Sequence, residues 1–369
     1  MNRLQKRIAS AVAASAVMLQ LAVPALASTQ IIISGNGAGS DNYGTVVESN
    51  TTTVTQSNEA NVTNNVVAKS TTDDASANFN VGDVTVKSGD ADTTVNVTND
   101  LNTNVAHVDC CDASGNTEVE ISGNGAKSTN TVALTEASVL ATNQDNKANV
   151  LNHVYAKSDS GDLEADLNTN GDVMVKSGNA TTDVTVSTHA NTNIATVGTP
   201  LGGSTNPTAS FIISGNGAFA DNFINATLAK TNVSDQDNLA NITNAVHAKS
   251  KCGDLGAEFN TGGDTTVWSG DATTTANVTN DVNFNYAALN CGCAEWDVMA
   301  KIHGNGAEGG YGHHHWWDTA DNVINLTLAN TKAYGQDNLA NLNNDLGWLY
   351  ADTGDLDSDL NTGESGTDP

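Results

Sequence analysis

One short motif recurs four times and limits what this chain can fold into more than any other feature. Ser34-Gly35-Asn36-Gly37-Ala38 returns at 122–126, at 214–218 and, with His303 replacing Ser, at 303–307. The spacings are 88, 92 and 89 residues. Self-similarity at a fixed period indicates a repeat architecture whose units stack on one another. We therefore predict a leader at 1–27 followed by four repeats, at 28–118, 119–210, 211–298 and, incomplete, 299–369.

A shorter period lies inside these repeats. In the first copy, Asn36, Asn58, Asn80, Asn102 and Asn124 are each 22 residues apart. The later copies keep this spacing with small insertions, through Asn146, Asn168, Asn191, Asn216, Asn238, Asn260, Asn283 and Asn305. A period of 22 is typical of one rung of a β-solenoid. We predict an all-β, parallel β-solenoid (β-helix) of 22-residue rungs grouped in four repeats of about 90 residues, a rod of about 15 rungs and roughly 70 Å.

Alternation within each copy predicts strands with an inner and an outer face. From Gln56 to Asn64 the residues of one parity are Gln, Asn, Ala, Val and Asn, and they recur nearly unchanged from Gln236 to Asn244. The position of Glu59, on the other parity, varies between copies. One constant and one variable parity is the pattern of a strand with a buried side. Asn61 is an exception, because it recurs with the outward parity.

The recurring Asn residues suit the interior of a stack. Adjacent strands lie about 4.8 Å apart, so an Asn amide can bond to its equivalents above and below. We therefore predict that the thirteen Asn residues of the 22-residue series form a core ladder. Such a ladder explains how a chain that is only 38% hydrophobic, against the roughly 45–50% usual for globular domains, can still fold.

The first 27 residues have the composition of a secretory signal. Arg3, Lys6 and Arg7 precede an apolar stretch from Ile8 to Val23, and Ala25-Leu26-Ala27 is a small-residue cleavage site. We predict cleavage after Ala27 and a secreted protein, extracellular or on the cell surface. No later stretch reaches the roughly 18 apolar residues of a membrane span, so no membrane insertion is expected.

The charge of the chain excludes two classes of partner. There are 42 acidic and 14 basic residues, a net charge of −28, and no Arg follows the leader. A surface of this sign repels nucleic acid and anionic membranes. We therefore expect neither as a partner.

The strand signature Gln56-x-Asn58-x-Ala60-x-Val62-x-Asn64 resembles the repeat of curlin, the subunit of curli amyloid fibres. The resemblance covers one 22-residue unit in four well and the others loosely, and this chain differs in grouping those units into longer repeats. It implies a β-solenoid with internal polar ladders and an extracellular structural or adhesive role. The Ser-Gly-Asn-Gly-Ala units also look like those of bacterial surface repeat proteins.

The most unusual segment is an 11-residue insertion in the fourth repeat, which is rich in His and Trp. His303, His313, His314, His315 and Asp318 are candidate ligands of Zn, Cu or Ni, because neutral imidazoles bind these ions well. Consecutive His residues on an extended chain point to alternate sides, so a single site would require a bend. The alternative is an aromatic loop that covers the last rungs.

Trp316 and Trp317 in this insertion are candidate partner contacts. Exposed aromatic side chains stack on sugars or anchor protein partners, so surface glycans or proteins are the expected partners. The alternative is a cap, because solenoids shield their end rungs against edge-to-edge growth.

Five cysteines are candidates for disulfides in an exported protein: Cys110, Cys111, Cys252, Cys291 and Cys293. The odd number leaves at least one thiol free or paired between chains. Stapled loops or cross-links between molecules are favoured over redox chemistry, because no strand-to-helix context surrounds a CxxC motif. The pairing cannot be assigned from the sequence.

Calcium at the Asp-rich and Gly-rich corners is a further hypothesis, but no cofactor is required. The chain lacks the tandem nonapeptide of calcium-loaded β-rolls and the EF-hand spacing. With 22-residue rungs, equivalent corners of successive repeats would be roughly 19 Å apart and could not share an ion.

The sequence contains no catalytic motif, so we expect no enzymatic activity. The leading hypothesis is a structural or adhesive repeat protein of the cell surface or extracellular matrix, which could form fibres. The alternative is a β-helix protein that binds carbohydrate or degrades polysaccharide. The lack of Arg after the leader argues against a lyase, whereas the 42 acidic residues leave a hydrolytic carboxylate pair open.

Overall fold

The computed structural model describes residues 18–22, 29–109, 116–197, 208–289, 297–306, 321–363 and 365–368. Strands make up 77% of the structure, and the described residues contain no helix. The strands are parallel and lie in stacked sheets. The predicted all-β class and the parallel β-solenoid are confirmed.

The strands fall into four layers that follow one another along the chain. Layer 1 contains β2 (Thr29–Ser34), β3 (Asp41–Thr71), β4 (Ala75–Ser76), β5 (Val84–Lys87) and β6 (Ala91–Asp109). Layer 2 contains β7 (Thr117–Ser122), β8 (Thr129–Asp159), β9 (Leu163–Glu164), β10 (Val173–Lys176) and β11 (Ala180–Val197). Layer 3 contains β12 (Thr208–Ser214), β13 (Asp221–Lys251), β14 (Leu255–Gly256), β15 (Thr265–Trp268) and β16 (Ala272–Leu289). Layer 4 contains β17 (Asp297–His303), β18 (Asn322–Asp352), β19 (Leu356–Asp357) and β20 (Ser365–Asp368), and β1 (Met18–Ala22) precedes layer 1.

A complete repeat, rather than a 22-residue unit, forms each layer. Strand β3 pairs along its whole length with β8, β8 with β13, and β13 with β18. Residues paired across these strands, such as Asn64, Asn152, Asn244 and Asn344, are separated by 88, 92 and 100 residues. The predicted 22-residue rung is wrong. A residue and the one 22 positions later usually lie in the same layer, so 22 residues do not complete a layer.

Each layer is a flattened loop in which two stretches of chain face one another. The long sheet, β3-β8-β13-β18, has strands of 31 residues. The short sheet, β2-β7-β12-β17, covers the first part of its inner face, and the facing sheet, β1-β6-β11-β16, covers the second half. At the far end, the arm sheets β4-β9-β14-β19 and β5-β10-β15-β20 pack on each other.

Apolar side chains are buried where two sheets meet. Phe211 and Ile213 of the short sheet are fully buried against the long sheet. Val175 and Val267 are buried between the arm sheets. Full burial of a Val, Ile or Phe side chain contributes roughly 1.5–3 kcal/mol. Between the long and facing sheets, smaller groups of Val and Ala alternate with buried amides.

The stack is thin and wide. Four layers at a spacing of about 4.8 Å are roughly 19 Å thick, whereas a strand of 31 residues extends over about 100 Å. The predicted rod of about 15 rungs and roughly 70 Å is therefore wrong as well.

In layers 1 to 3 the Ser-Gly-Asn-Gly-Ala motif forms the turn between the short and the long strand. Its first Gly has φ between +65° and +70° in all four copies, a conformation that strains other residues. A Cβ on its second Gly would clash with the layer below, as Gly125 would with Gly37 and Ala38. The motif recurs because these positions touch the same turn of the neighbouring layer.

The 22-residue spacing marks four different places in one layer. In layer 1, Asn36 lies in the motif turn, Asn58 in β3, Asn80 in the turn of the arm and Asn102 in β6. An in-register amide ladder runs through each of these places, so the same residue type is required at all four. Nothing in the structure requires the four places to be equally spaced.

Strand β1 extends the facing sheet beside the end of β6, where Met18 pairs with Val105 and Ala22 with Asp109. This strand lies in the segment that we predict to be a signal peptide. Cleavage after Ala27 would remove it and leave β6 at the edge of that sheet.

We expect Asn152→Ala to destabilise the fold strongly. Asn152 is fully buried, donates to Asn244 at 2.7 Å and accepts from Asn64 at 2.7 Å. A buried polar group without its partner costs about 1–3 kcal/mol. The free energy of unfolding should therefore fall by about 2–4 kcal/mol, measured by urea unfolding with far-UV circular dichroism.

Asn149→Ala is the matched control on the same strand. Asn149 bonds to Asn61 and Asn241 on the outer face, where water can replace the lost bonds. Its loss should stay under about 1 kcal/mol. Equal losses for the two variants would contradict the assignment of inner and outer faces.

Candidate functional site

The thirteen Asn residues predicted as one core ladder are distributed over four ladders. The first joins Asn36, Asn124, Asn216 and Asn305 by amide N to O distances of 2.9, 2.9 and 3.0 Å. The second joins Asn80, Asn168 and Asn260 at 3.1 Å in both steps, and the third joins Asn102, Asn191 and Asn283 at 3.0 and 2.9 Å. Each step spans one repeat, so the predicted 22-residue step is wrong.

The fourth ladder, which contains Asn58, Asn146 and Asn238, alternates between the long and the facing sheet. Asn58 donates to Asn104 at 2.7 Å, and Asn104 donates to Asn146 at 2.9 Å. The zigzag continues through Asn193 and Asn238, with distances of 2.8 and 3.0 Å. The predicted core ladder omits the facing-sheet residues Asn104, Asn193 and Asn285, although their spacing matches the repeat.

A further ladder runs along the outer face of the long sheet. Asn149 donates to Asn61 at 2.7 Å, Asn241 to Asn149 at 2.8 Å, and Asn341 to Asn241 at 2.7 Å. The recurrence of Asn61 with outward parity is thereby explained. Any in-register column of amides forms these bonds, on whichever face it lies.

Of the predicted metal ligands, the structure describes only His303, which is exposed at the end of β17. His313, His314, His315 and Asp318 lie outside the described residues, as do the predicted partner contacts Trp316 and Trp317. Within the described ranges, no group of three or more His, Cys, Asp or Glu side chains is arranged to hold a metal ion. A zinc site at the insertion stays a prediction.

Among the candidate disulfide residues, Cys252 is a free thiol that is fully buried in layer 3. Burial raises its pKa, and hydrogen bonds from the Ala180 backbone and Ser160 partly oppose this shift. Cys252 therefore forms no disulfide in this structure. Cys110, Cys111, Cys291 and Cys293 lie outside the described residues.

Acidic side chains line a groove along the outer side of the arm. In one column, the carboxylate of Asp74 accepts from the backbone N–H of Asp162, Asp162 from that of Asp254, and Asp254 from that of Asp355. The expected separation of roughly 19 Å between equivalent corners is wrong, because these residues lie in adjacent layers about 4.8 Å apart. The separation between equivalent corners therefore no longer argues against a shared calcium ion, and calcium binding stays a prediction.

The groove shifts the pKa values of two of its carboxylates in opposite directions. The backbone N–H of Asp355 and the side chain of Lys251 hold the pKa of Asp254 below its usual value. A hydrogen bond with Asp166, together with the charge of that residue, raises the pKa of Glu164. Backbone and lysine donors thus favour the charged form of Asp254, whereas the neighbouring Asp166 disfavours the charged form of Glu164.

Lys230 and Glu136 form an ionisable pair on the inner side of the long sheet. Glu136 accepts a hydrogen bond from Thr117 of the short sheet at 2.9 Å. Burial raises the pKa of Glu136, an effect that the Thr117 hydrogen bond opposes. Burial lowers the pKa of Lys230 to about 8, and the charge of Glu136 opposes this shift. The pair lies where the cover of the short sheet ends and that of the facing sheet begins.

Four aromatic or imidazole side chains gather on the outer face of the long sheet near its end. Tyr155, His247 and Trp348 occupy one column, in layers 2, 3 and 4, and Tyr350 lies in the next column of layer 4 beside Lys249. We call these four residues the aromatic patch. They line a hollow of about 590 Å³, and the Lys249 ammonium lies 4.9 Å from the centre of the Tyr350 ring.

A β-bulge aims the layer 4 members of the patch outward. The register between β13 and β18 shifts between Ala245 and His247, so that Ala245 pairs with Asp345 but His247 pairs with Trp348. Without the extra residue, Gly347 would stand opposite His247 and Trp348 would face inward. Bulges commonly re-aim side chains beside functional sites.

Comparisons with known proteins supply no relative. No family model matches the chain, and neither a curated protein nor a solved structure is similar to it. No helix among the described residues has the length and apolar composition to cross a bilayer.

We expect Lys230→Met to change how stability depends on pH. In the folded protein the pKa of Lys230 is about 8, whereas in the unfolded chain it is about 10.4. Between these values the unfolded state binds more protons, so the stability of the wild type rises with pH. The difference in free energy of unfolding, wild type minus Lys230→Met, should be constant below about pH 7 and rise between about pH 8 and 10.4.

Urea unfolding at a series of pH values measures this difference. Ser138→Ala is the control, because Ser138 is the layer 2 neighbour of Lys230 in the same column and has no titrating group. Its curve should run parallel to that of the wild type. A Lys230→Met difference that stays flat from pH 7 to 11 would show that the ammonium is not buried as described.

Proposed function

We propose that this chain is a secreted, non-enzymatic structural or adhesive protein of the cell surface or extracellular matrix, and that its copies stack end to end into fibres. The observation that carries the proposal is the pair of open ends of the stack. Both ends expose strand edges whose chemistry is complementary. The predicted signal peptide supports export.

The end layers leave long strands unpaired on one side, among the residues that the structure describes. Strand β3 in layer 1 and strand β18 in layer 4 each have 31 residues and a neighbour on one side only. A long exposed edge presents a row of backbone donors and acceptors to any further strand. A second copy of this chain carries the same repeat, so its layer 1 continues the register of layer 4.

The amide ladders have a direction, and this direction favours head-to-tail stacking. Asn42 donates to Asn130, Asn130 to Asn222, and Asn222 to Asn322, each at 2.7 Å. Among the described residues, the Asn322 amide has no acceptor beyond it, and the Asn42 carbonyl oxygen has no donor. Head-to-tail contact places this donor opposite this acceptor. A heterologous contact that does not close generates a filament.

Apolar side chains at the layer 4 edge also lack cover. Leu342 is 48% exposed, although Ile242 at the same inward position of layer 3 is 1% exposed. A stacked copy would place its half-buried Val62 beside Leu342, because Val62 occupies that column in layer 1. The hydrophobic effect at this column therefore acts in the same direction as the ladders.

Charge opposes assembly. Stacking places Asp74 of one copy beside Asp355 of another, in a chain of net charge −28. Repulsion between exposed charges is screened by salt, with a Debye length of about 8 Å at physiological ionic strength. We therefore expect assembly to be faster at physiological than at low ionic strength. The proposal requires no cofactor, and calcium in the acidic groove or zinc at the insertion would be additional to it.

Leu342→Lys tests the stacking contact. The new ammonium would be buried against Val62 of the next copy without a partner, so fibre formation should slow by at least tenfold. Light scattering and negative-stain electron microscopy of purified residues 28–369 measure assembly, and circular dichroism checks the fold.

Leu339→Lys is the matched control. Leu339 is exposed on the outer face of the same strand, in a column that already contains Lys147. This variant should form fibres as the wild type does. Equal rates for Leu342→Lys and the wild type, or a wild type that stays monomeric at every ionic strength, would overturn the proposal.

A further inference from the structure

We propose that the aromatic patch is a binding site for an uncharged polysaccharide chain. The site lies on the outer face of the long sheet and includes Trp348 and Tyr350 of β18, the edge strand of layer 4. The inference adds a ligand to the structural role, and it is tested on monomers, in which this edge is open.

The patch offers flat ring faces to solvent. Trp348 is 73% exposed and Tyr350 is 48% exposed, and the hollow between these side chains and Tyr155 and His247 is open to the surface. Large exposed aromatic side chains that gather at one place mark an interaction site. Pyranose rings present an apolar C–H face that stacks on such side chains.

The spacing of the patch suits a polymer rather than a single small molecule. Tyr155, His247 and Trp348 come from three successive layers, which lie about 4.8 Å apart. One sugar unit advances an extended chain by a similar length. A polysaccharide that lies across the strands can therefore place successive rings along this column.

The charges around the patch favour a neutral ligand over an acidic one. Lys157 pairs with Asp159 at 2.6 Å, and Lys249 lies against the ring of Tyr350. The Tyr350 hydroxyl donates to Asp352 at 2.8 Å. Lysine and aspartate thus stand side by side and can bond to sugar hydroxyls as donors and acceptors. The net charge of −28 repels polyanions at a distance.

The bulge in β18 is an independent observation that points to the same surface. It is the one register shift along the pairing of the described long strands, and it brings Trp348 and Tyr350 to the outer face. A regular strand would have placed Gly347 and Leu349 there instead. The irregularity exposes aromatic side chains at a cost in regular pairing, which suits a binding role better than a structural one.

Native affinity electrophoresis tests the proposal. Monomeric protein, isolated by size exclusion, is run in gels that contain soluble hydroxyethyl cellulose, galactomannan or dextran, with alginate as the acidic comparison. We expect at least one neutral polymer to retard the wild type. Trp348→Ala and Tyr350→Ala should each raise the apparent dissociation constant by about tenfold or more, because exposed aromatic anchors dominate such interfaces.

Tyr43→Ala is the matched control. Tyr43 is 72% exposed on the outer face of the same sheet, at the opposite end of the long strand, and its loss should leave retardation unchanged. Circular dichroism confirms that each variant is folded. Three results would overturn the proposal: no retardation by any neutral polymer, retardation by alginate alone that salt abolishes, or an equal loss in Tyr43→Ala. Because the assay uses monomers, a failure here is distinct from a failure to form fibres.

Discussion

In-register pairing of each repeat with the next is the interaction on which this structure depends. The columns of the long sheet place equivalent residues of successive repeats about 4.8 Å apart, so a buried side chain must fit against the residues above and below it. Asn and Gln satisfy this condition by donating to one neighbour and accepting from the other, as Gln144 does between Gln56 and Gln236. Val and Ala satisfy this condition because their side chains are small enough to pack against the residues above and below. The low apolar content of the chain follows from this rule.

The same rule explains why the ends of the stack and its outer faces differ in chemistry. Many inner columns keep one residue type, as the column of Asn64, Asn152, Asn244 and Asn344 does, so they give the end layers edges that fit one another. Outer columns need not stay constant, so single positions can change there from Glu59 to Lys147, or from Val67 to Trp348. The proposed polysaccharide site therefore uses variable outer columns, whereas the proposed assembly uses the strand edges and the inner columns.

Strand parity and ladder chemistry could be predicted from the sequence, because the alternation from Gln56 to Asn64 is visible within nine residues. The size of a layer could not, because 22 divides 88 and both periods predict stacked Asn residues. Only the pairing of Asn64 with Asn152 decides between them. The aromatic patch could not be predicted from the sequence either. Its members come from different repeats, and the bulge before Trp348 reverses the parity that the alternation predicts.

The distance along the chain between paired residues has a consequence for folding kinetics. Paired residues of the long sheet are far apart in the chain, by 88 residues for Asn64 and Asn152 and by 100 for Asn244 and Asn344, so the pairing between layers does not come from local contacts. Closing loops of this length costs entropy before any bond forms, and folding slows as contacts become less local. We therefore expect the pairing of the first two layers to be the slow step, whereas each later repeat adds to an edge that already exists. In the proposed fibre, a copy that arrives from solution would likewise add to an edge that already exists.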